Sequence, residues 1–159
     1  MLAMARRRPL FTSVGAIGAV VLAAVAWFLI SPLFIRTVLV EAPSARIAAP
    51  IARGAFNEID AIHKGRGDAI LSRAADGRLV VQLSDFSVTN GPDLYVFLSR
   101  HPSPASDADV KDGALLGKLK ASDGVFSYET DAPMDAAQFK SVVIHCVRFR
   151  TLFSYATLR

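Results

Sequence analysis

One cysteine, Cys146, and three histidines, His63, His101 and His145, are the side chains best suited to thiol, ligand or acid–base chemistry in this 159-residue chain. Two of them are neighbours, in Ser141-Val142-Val143-Ile144-His145-Cys146-Val147-Arg148-Phe149. That stretch is β-branched and apolar with few breaks, and reads as a strand buried on both faces. Side chains alternate along a strand, so His145 and Cys146 point to opposite faces and a catalytic Cys–His pair between them is disfavoured. Val142, Ile144, Cys146 and Arg148 share one face; Val143, His145, Val147 and Phe149 share the other. Cys146 therefore reads first as a small buried hydrophobe. Its sharper readings are a redox thiol or a ligand to a prosthetic group.

The other groups carry less. His63 lies in the basic turn Ile62-His63-Lys64-Gly65-Arg66-Gly67 and His101 in a Pro-containing loop, so both read as solvated. Met134 follows Pro133 in a turn and reads first as a gap-filler and second as an axial haem ligand. The chain has no Gly-rich phosphate loop, no Cys-x-x-Cys, no His-Glu-x-x-His and no c-type haem attachment motif. Asp85, Asp93 and Asp123 fall at turns, where Asp serves the backbone. No catalytic residues emerge, and no metal ligand set. A lone cysteine forms no internal disulfide, leaving Cys146 buried, ligated or paired with another chain.

What positions these groups is a two-part chain. Arg6, Arg7 and Arg8 precede an uncharged run from Pro9 to Ile35, long enough for a transmembrane helix of about 20 apolar residues. The arginines place the N-terminus in the cytoplasm. Trp27 and Phe28 suit the far interface, and Pro32 is expected to end or kink the helix. Ala24-Val25-Ala26 also fits a signal-peptide cleavage site, but the apolar run continues beyond it. The boundaries follow: 1–8 a cytoplasmic basic tail, 9–36 the transmembrane helix, 37–51 an Ala/Pro-rich linker, and 52–159 the exported domain. The expected location is the inner membrane, with the domain periplasmic or otherwise extracytoplasmic.

Charge divides the same way. Before residue 51 five arginines meet one acid, Glu41; beyond it basic and acidic residues balance. The domain has no cationic excess to neutralise phosphates, which excludes a nucleic-acid partner.

The domain reads as short strands with turns between them. Asp76-Gly77 joins two apolar runs as a hairpin, and Asn90-Gly91-Pro92 marks a tight turn. Residues 100–111 read as an exposed loop, and 135–139 as one helical turn with Asp135 as N-cap. The expected fold is all-β, an antiparallel β-sandwich or barrel preceded by one transmembrane α-helix. Its aromatic residues read mainly as core.

Several segments together resemble a known family: Gly91-Pro92-Asp93-Leu94-Tyr95-Val96-Phe97-Leu98-Ser99, Leu116-Gly117-Lys118-Leu119-Lys120, Val142 to Phe149, and Phe153-Ser154-Tyr155-Ala156-Thr157-Leu158. Their order and the single cysteine resemble the electron transfer DM-thirteen domain, related to the haem-binding DOMON domain, over about residues 52–159. The resemblance implies a β-sandwich or barrel. It also implies a cysteine, here Cys146, that acts as a redox thiol or holds a prosthetic group such as non-covalent haem. An aromatic usually precedes that cysteine; here it is His145, which would add a ligand or mark a lost packing role.

Three functions are carried forward. The first is a non-catalytic accessory or docking subunit of an integral-membrane complex, respiratory or photosynthetic, with Gly15, Ala16, Gly18, Ala19, Ala23 and Ala24 offering close helix contact in the bilayer. The second is an electron-transfer module using Cys146 or a haem. The third is a cell-envelope adhesion module.

Overall fold

A computed structural model describes residues 8–42 and 47–159, with side chains placed at 15–28, 30–31, 35–42 and 50–159. Arg6 and Arg7 of the basic tail, and 43–46 of the expected linker, lie outside the described residues. The chain forms two units, 1–35 and 36–159.

In the first unit α1, Arg8–Phe34, is a 27-residue helix. It continues past Pro32, which was expected to end or kink it. Among the described residues no helix is long and apolar enough to cross a membrane; the longest continuous run of placed side chains in α1 is 15–28.

The second unit contains one nine-stranded sheet. Its strands in chain order are β1 Val38–Val40, β2 Ile47–Glu58, β3 Gly65–Ala74, β4 Arg78–Val88, β5 Leu94–Ser99, β6 Ala114–Lys118, β7 Asp123–Pro133, β8 Ser141–Cys146 and β9 Thr151–Thr157. The spatial order is β1-β7-β4-β3-β2-β9-β8-β5-β6. All neighbours are antiparallel except β1 and β7, which run parallel. The expected all-β class holds, but as one curled sheet, a half-barrel, instead of two stacked sheets.

The curl has local causes. The long strand β2 pairs β3 along Ile47 to Ala55 and β9 along Phe56 to Glu58, so one strand serves both halves. In β4 the inward residues are Leu79, Val81 and Leu83, then Phe86 and Val88. The parity changes because Asp85, at φ 47°, is an extra residue in a bulge, and a bulge bends its strand. Tyr128 of β7 then ties down the β6 side: its hydroxyl donates to Lys118 O at 3.2 Å and accepts from Lys120 N at 2.9 Å. Burial pushes the Tyr128 phenol up to about 12, so it remains a donor. The curled sheet encloses the main core, which includes Leu71, Phe86, Leu98, Phe126 and Ile144.

The Asp76-Gly77 hairpin forms as expected, with Gly77 at φ 87° and Asp76 Oδ1 accepting from Arg78 N at 3.1 Å. Asp135 caps a 3-10 turn, Ala136–Gln138, through Ala137 N. Two expectations are corrected. Part of the expected linker is sheet: β1 and the start of β2 lie in it, and Glu41 accepts from Lys120 Nζ at 2.8 Å and Ser127 N at 3.0 Å. Residues 100–111 are not all exposed loop, because they contain a short helix, α2, Asp107–Lys111, whose Val110 is fully buried.

Candidate functional site

β8 is hydrogen-bonded on one side to β5 and on the other to β9, and all six of its residues are buried. Alternation works as read from the sequence up to Cys146. Val142, Ile144 and Cys146 enter the main core. Val143 lies on the other face, in a smaller cluster with Phe97 and Val110, and His145 meets Phe97 edge-on with ring centres 6.0 Å apart. The strand then stops. Residues 147–150 form a turn, with Arg150 at φ 52°, and all four are exposed. Arg148, Val147 and Phe149 therefore do not continue the two strand faces.

Cys146 is a free thiol with no exposed surface. It is the last residue of β8, paired with Leu94 and Thr151. Val147 N, the next amide, donates to Asp93 O at 3.1 Å and pins the strand end.

His145 is 2% exposed, and neither ring nitrogen has a hydrogen-bond partner among the described residues. Its Nε2 lies 3.4 Å from Asp107 Oδ1, an oxygen that is also buried without a hydrogen bond. Burial lowers the imidazole pKa below 6.5, opposed by the Asp107 charge and assisted by Lys111. His145 is thus held neutral at neutral pH. Asp107 itself pairs with Lys111 at 2.8 Å, and that hydrogen bond lowers its pKa.

Asp107 is the residue that sequence reading missed. It is the first residue of α2, whose capping box joins Ser106 Oγ to Asp109 N and Asp109 Oδ2 to Ser106 N. The Ser-x-x-Asp spacing at 106–109 was a legible helix start. Val110, three residues on, is the anchor that seats the helix on the sheet.

The remaining candidates do not join this site. His63 is partly buried instead of solvated: its Nδ1 is 2.7 Å from Asp60 Oδ2, and its ring meets Phe153 edge-on at 4.5 Å. The same hydrogen bond leads the causes that lower the Asp60 pKa to about 2. His101 is half-exposed, with Nε2 3.9 Å from Asp109 and 3.8 Å from Asp112. Met134 packs against the main core. Among the described residues no three His, Cys, Asp or Glu side chains converge as metal ligands.

The prosthetic group that the resemblance implies, a haem, would need an open site at Cys146 or His145. Cys146 and His145 lie on opposite sides of one sheet, so they cannot ligate the same group. Cys146 is enclosed in a packed core, and a macrocycle against its sulfur would have to displace Leu94, Ile144 and their neighbours. Two surface clefts, one around Glu41, Lys120 and Tyr128 and the other around Arg36, Lys64 and Arg66, are lined by neither Cys146 nor His145. The residues as placed do not fit a haem. Their chemistry is that of a sheltered thiol and a separate, buried His–Asp contact.

A family model, Electron transfer DM13, matches residues 56–158. No curated protein and no solved structure matches the chain.

Proposed function

Because the chain belongs to the Electron transfer DM13 family, we propose that it serves an electron-transfer system, as a membrane-anchored, non-catalytic docking or accessory subunit of an integral-membrane complex. The observation that carries the non-catalytic part is the closure of Cys146: the one thiol has no exposed surface, and the imidazole next to it in sequence, His145, is on the other side of the sheet. The anchor rests on sequence, in an uncharged run from Pro9 to Ile35 behind three arginines, all of which but Ile35 lies in α1. The domain then lies outside the cytoplasm, tethered at Arg36. Native gels after mild detergent extraction test the reading. The expected result is co-migration with a large membrane complex, in membranes that retain the chain through alkaline washing. A chain that runs alone in every extract refutes the docking role.

A second reading takes Cys146 as the redox group. The observation favouring it is the position of Cys146 at the end of β8, one residue from an exposed turn. It predicts that Cys146→Ala abolishes electron transfer while leaving association intact; the docking reading predicts that both persist.

A further inference from the structure

We propose that α2 is an acid-released cover: when His145 takes up a proton, the helix lifts from the sheet and bares the imidazole and the apolar side chains beneath it, while the half-barrel stays folded. Little holds α2 down. It is five residues long, and Val110 is its one buried side chain. Ser99 Oγ of β5 adds a tie, donating to Asp109 O at 2.7 Å. Beneath the helix lie Phe97 and Val143, with His145 edge-on to Phe97. Closure there is imperfect even at neutral pH. Both ring nitrogens of His145 and Oδ1 of Asp107 are buried without a hydrogen bond, and lifting α2 would return all three to water.

A proton makes the closed form worse, because of what faces the ring. From α2 come Asp107, with Oδ1 3.4 Å from Nε2, and Lys111, which already holds Asp107 at 2.8 Å. Arg150 acts on the same carboxylate from the turn before β9. The strands beside β8 bring Tyr95 and Leu152 opposite His145, and no carboxylate. The other acids of this segment are engaged elsewhere. Asp109 Oδ2 accepts from Ala105 N and Ser106 N, while Asp109 Oδ1 and Asp112 Oδ2 flank His101 Nε2 at 3.9 and 3.8 Å. A covered imidazolium would therefore share one carboxylate with two cations, whereas a lifted one is hydrated. Burial accordingly holds the covered ring below 6.5, so the lifted form binds the proton more readily and acidification favours it. His101 works the other way, since its protonation strengthens its contacts with Asp109 and Asp112. Those contacts are long and half-exposed, so they are weak.

The test is hydrogen exchange, read by mass spectrometry on the full chain in detergent micelles at pH 7.5 and 5, with each rate divided by its intrinsic chemical rate. A helix this short does not persist once lifted, so its own amides report: Asp112 N, bonded to Ala108 O, and Gly113 N, bonded to Val110 O. One proton on a ring of ordinary pKa limits the effect to about thirtyfold between the two pH values. Protection at 112 and 113 is expected to fall several-fold toward that limit on acidification, while protection in β3 and β4 holds. His145→Phe keeps a ring but takes no proton, and should abolish the fall. Lys111→Gln changes an exposed side chain and should shrink the fall, because Asp107 is then free to meet the imidazolium. Protection at α2 that is the same at both pH values overturns the proposal. So does a fall shared equally by β3 and β4, which is loss of the whole domain, or a fall that persists in His145→Phe. If His145→Phe does not fold, Lys111→Gln decides: a fall as deep as in the parent overturns the proposal.

Discussion

Cys146 is expected to react with a thiol reagent only when the domain opens. Its side chain has no exposed surface, and it shares a core with Ile144, Phe126 and Phe86. Its strand is held on both sides, and the following amide is bonded to Asp93 O. If only global unfolding exposes it, a domain stability of about 5 kcal/mol already protects the thiol by nearly four orders of magnitude. Labelling rates with a maleimide, read by mass in native buffer and in guanidinium, give this ratio directly. A native rate within about tenfold of the denatured rate would refute the reasoning: the strand end would then fray readily and the redox reading would regain its nucleophile. Cys146→Ala should fold and cost about 1–2 kcal/mol through lost burial. Cys146→Asp should fail to fold, because it places a carboxyl among apolar side chains without a partner.

Three further outcomes follow from the same packing. Burial holds the His145 pKa below 6.5, so its unfolded form binds a proton more readily than its folded form; that contribution is whole above pH 6.5 and falls away with acidification. Melting temperatures compared at pH 7.5 and 5 should show the loss, and His145→Leu should reduce it; an unchanged pH slope in the variant counts against the assignment. Gly113→Ala should destabilise by about 1–3 kcal/mol in denaturant melts, because an added Cβ meets the backbone carbonyl of Leu98 on β5, which cannot swing away. Glu41→Ala removes acceptors for Lys120 Nζ and Ser127 N and should cost about 1 kcal/mol; a neutral effect would show that solvent replaces both contacts.

Much of the domain was legible because its signals are local. The hairpin at Asp76-Gly77, the strand β5 and the cap at Asp135 are each specified by a few adjacent residues. So was the division of β8 into two faces, which follows from the strand period. What escaped depends on distant partners. Nothing near Val38 announces that Thr37 will be stitched to Ser122, with Thr37 N on Ser122 Oγ at 3.0 Å and Ser122 N on Thr37 Oγ1 at 3.1 Å. The end of β8 at Cys146 escaped for a similar reason. Val147, Arg148 and Phe149 keep the alternating pattern, but Arg150 adopts a left-handed φ and the chain turns into β9. Asp107 escaped because its counterpart, His145, is far away in sequence, and a polar loop gives no hint of the strand it will cover.

The two faces of β8 differ in what covers them, and that difference orders the candidate chemistry differently from the sequence. Cys146 is covered by the half-barrel itself, so reaching it means disrupting the main core. His145 is covered in part by α2, a five-residue helix whose one fully buried side chain is Val110. A helix that short has little stability of its own and is held by its packing. A local opening there should therefore be far cheaper than one at Cys146. Val110→Ala removes most of the apolar anchor, and should cost about 1–2 kcal/mol while raising the population in which α2 is lifted. Modification by diethyl pyrocarbonate, read residue by residue, should then rise at His145 several-fold, with His63, which pairs with Asp60 away from α2, unchanged as the internal standard. Labelling of Cys146 should stay as slow as in the parent once corrected for global stability. If Cys146 and His145 became accessible in step, the two faces would open as one unit, and the separation of thiol from imidazole by the sheet would not be a separation in energy.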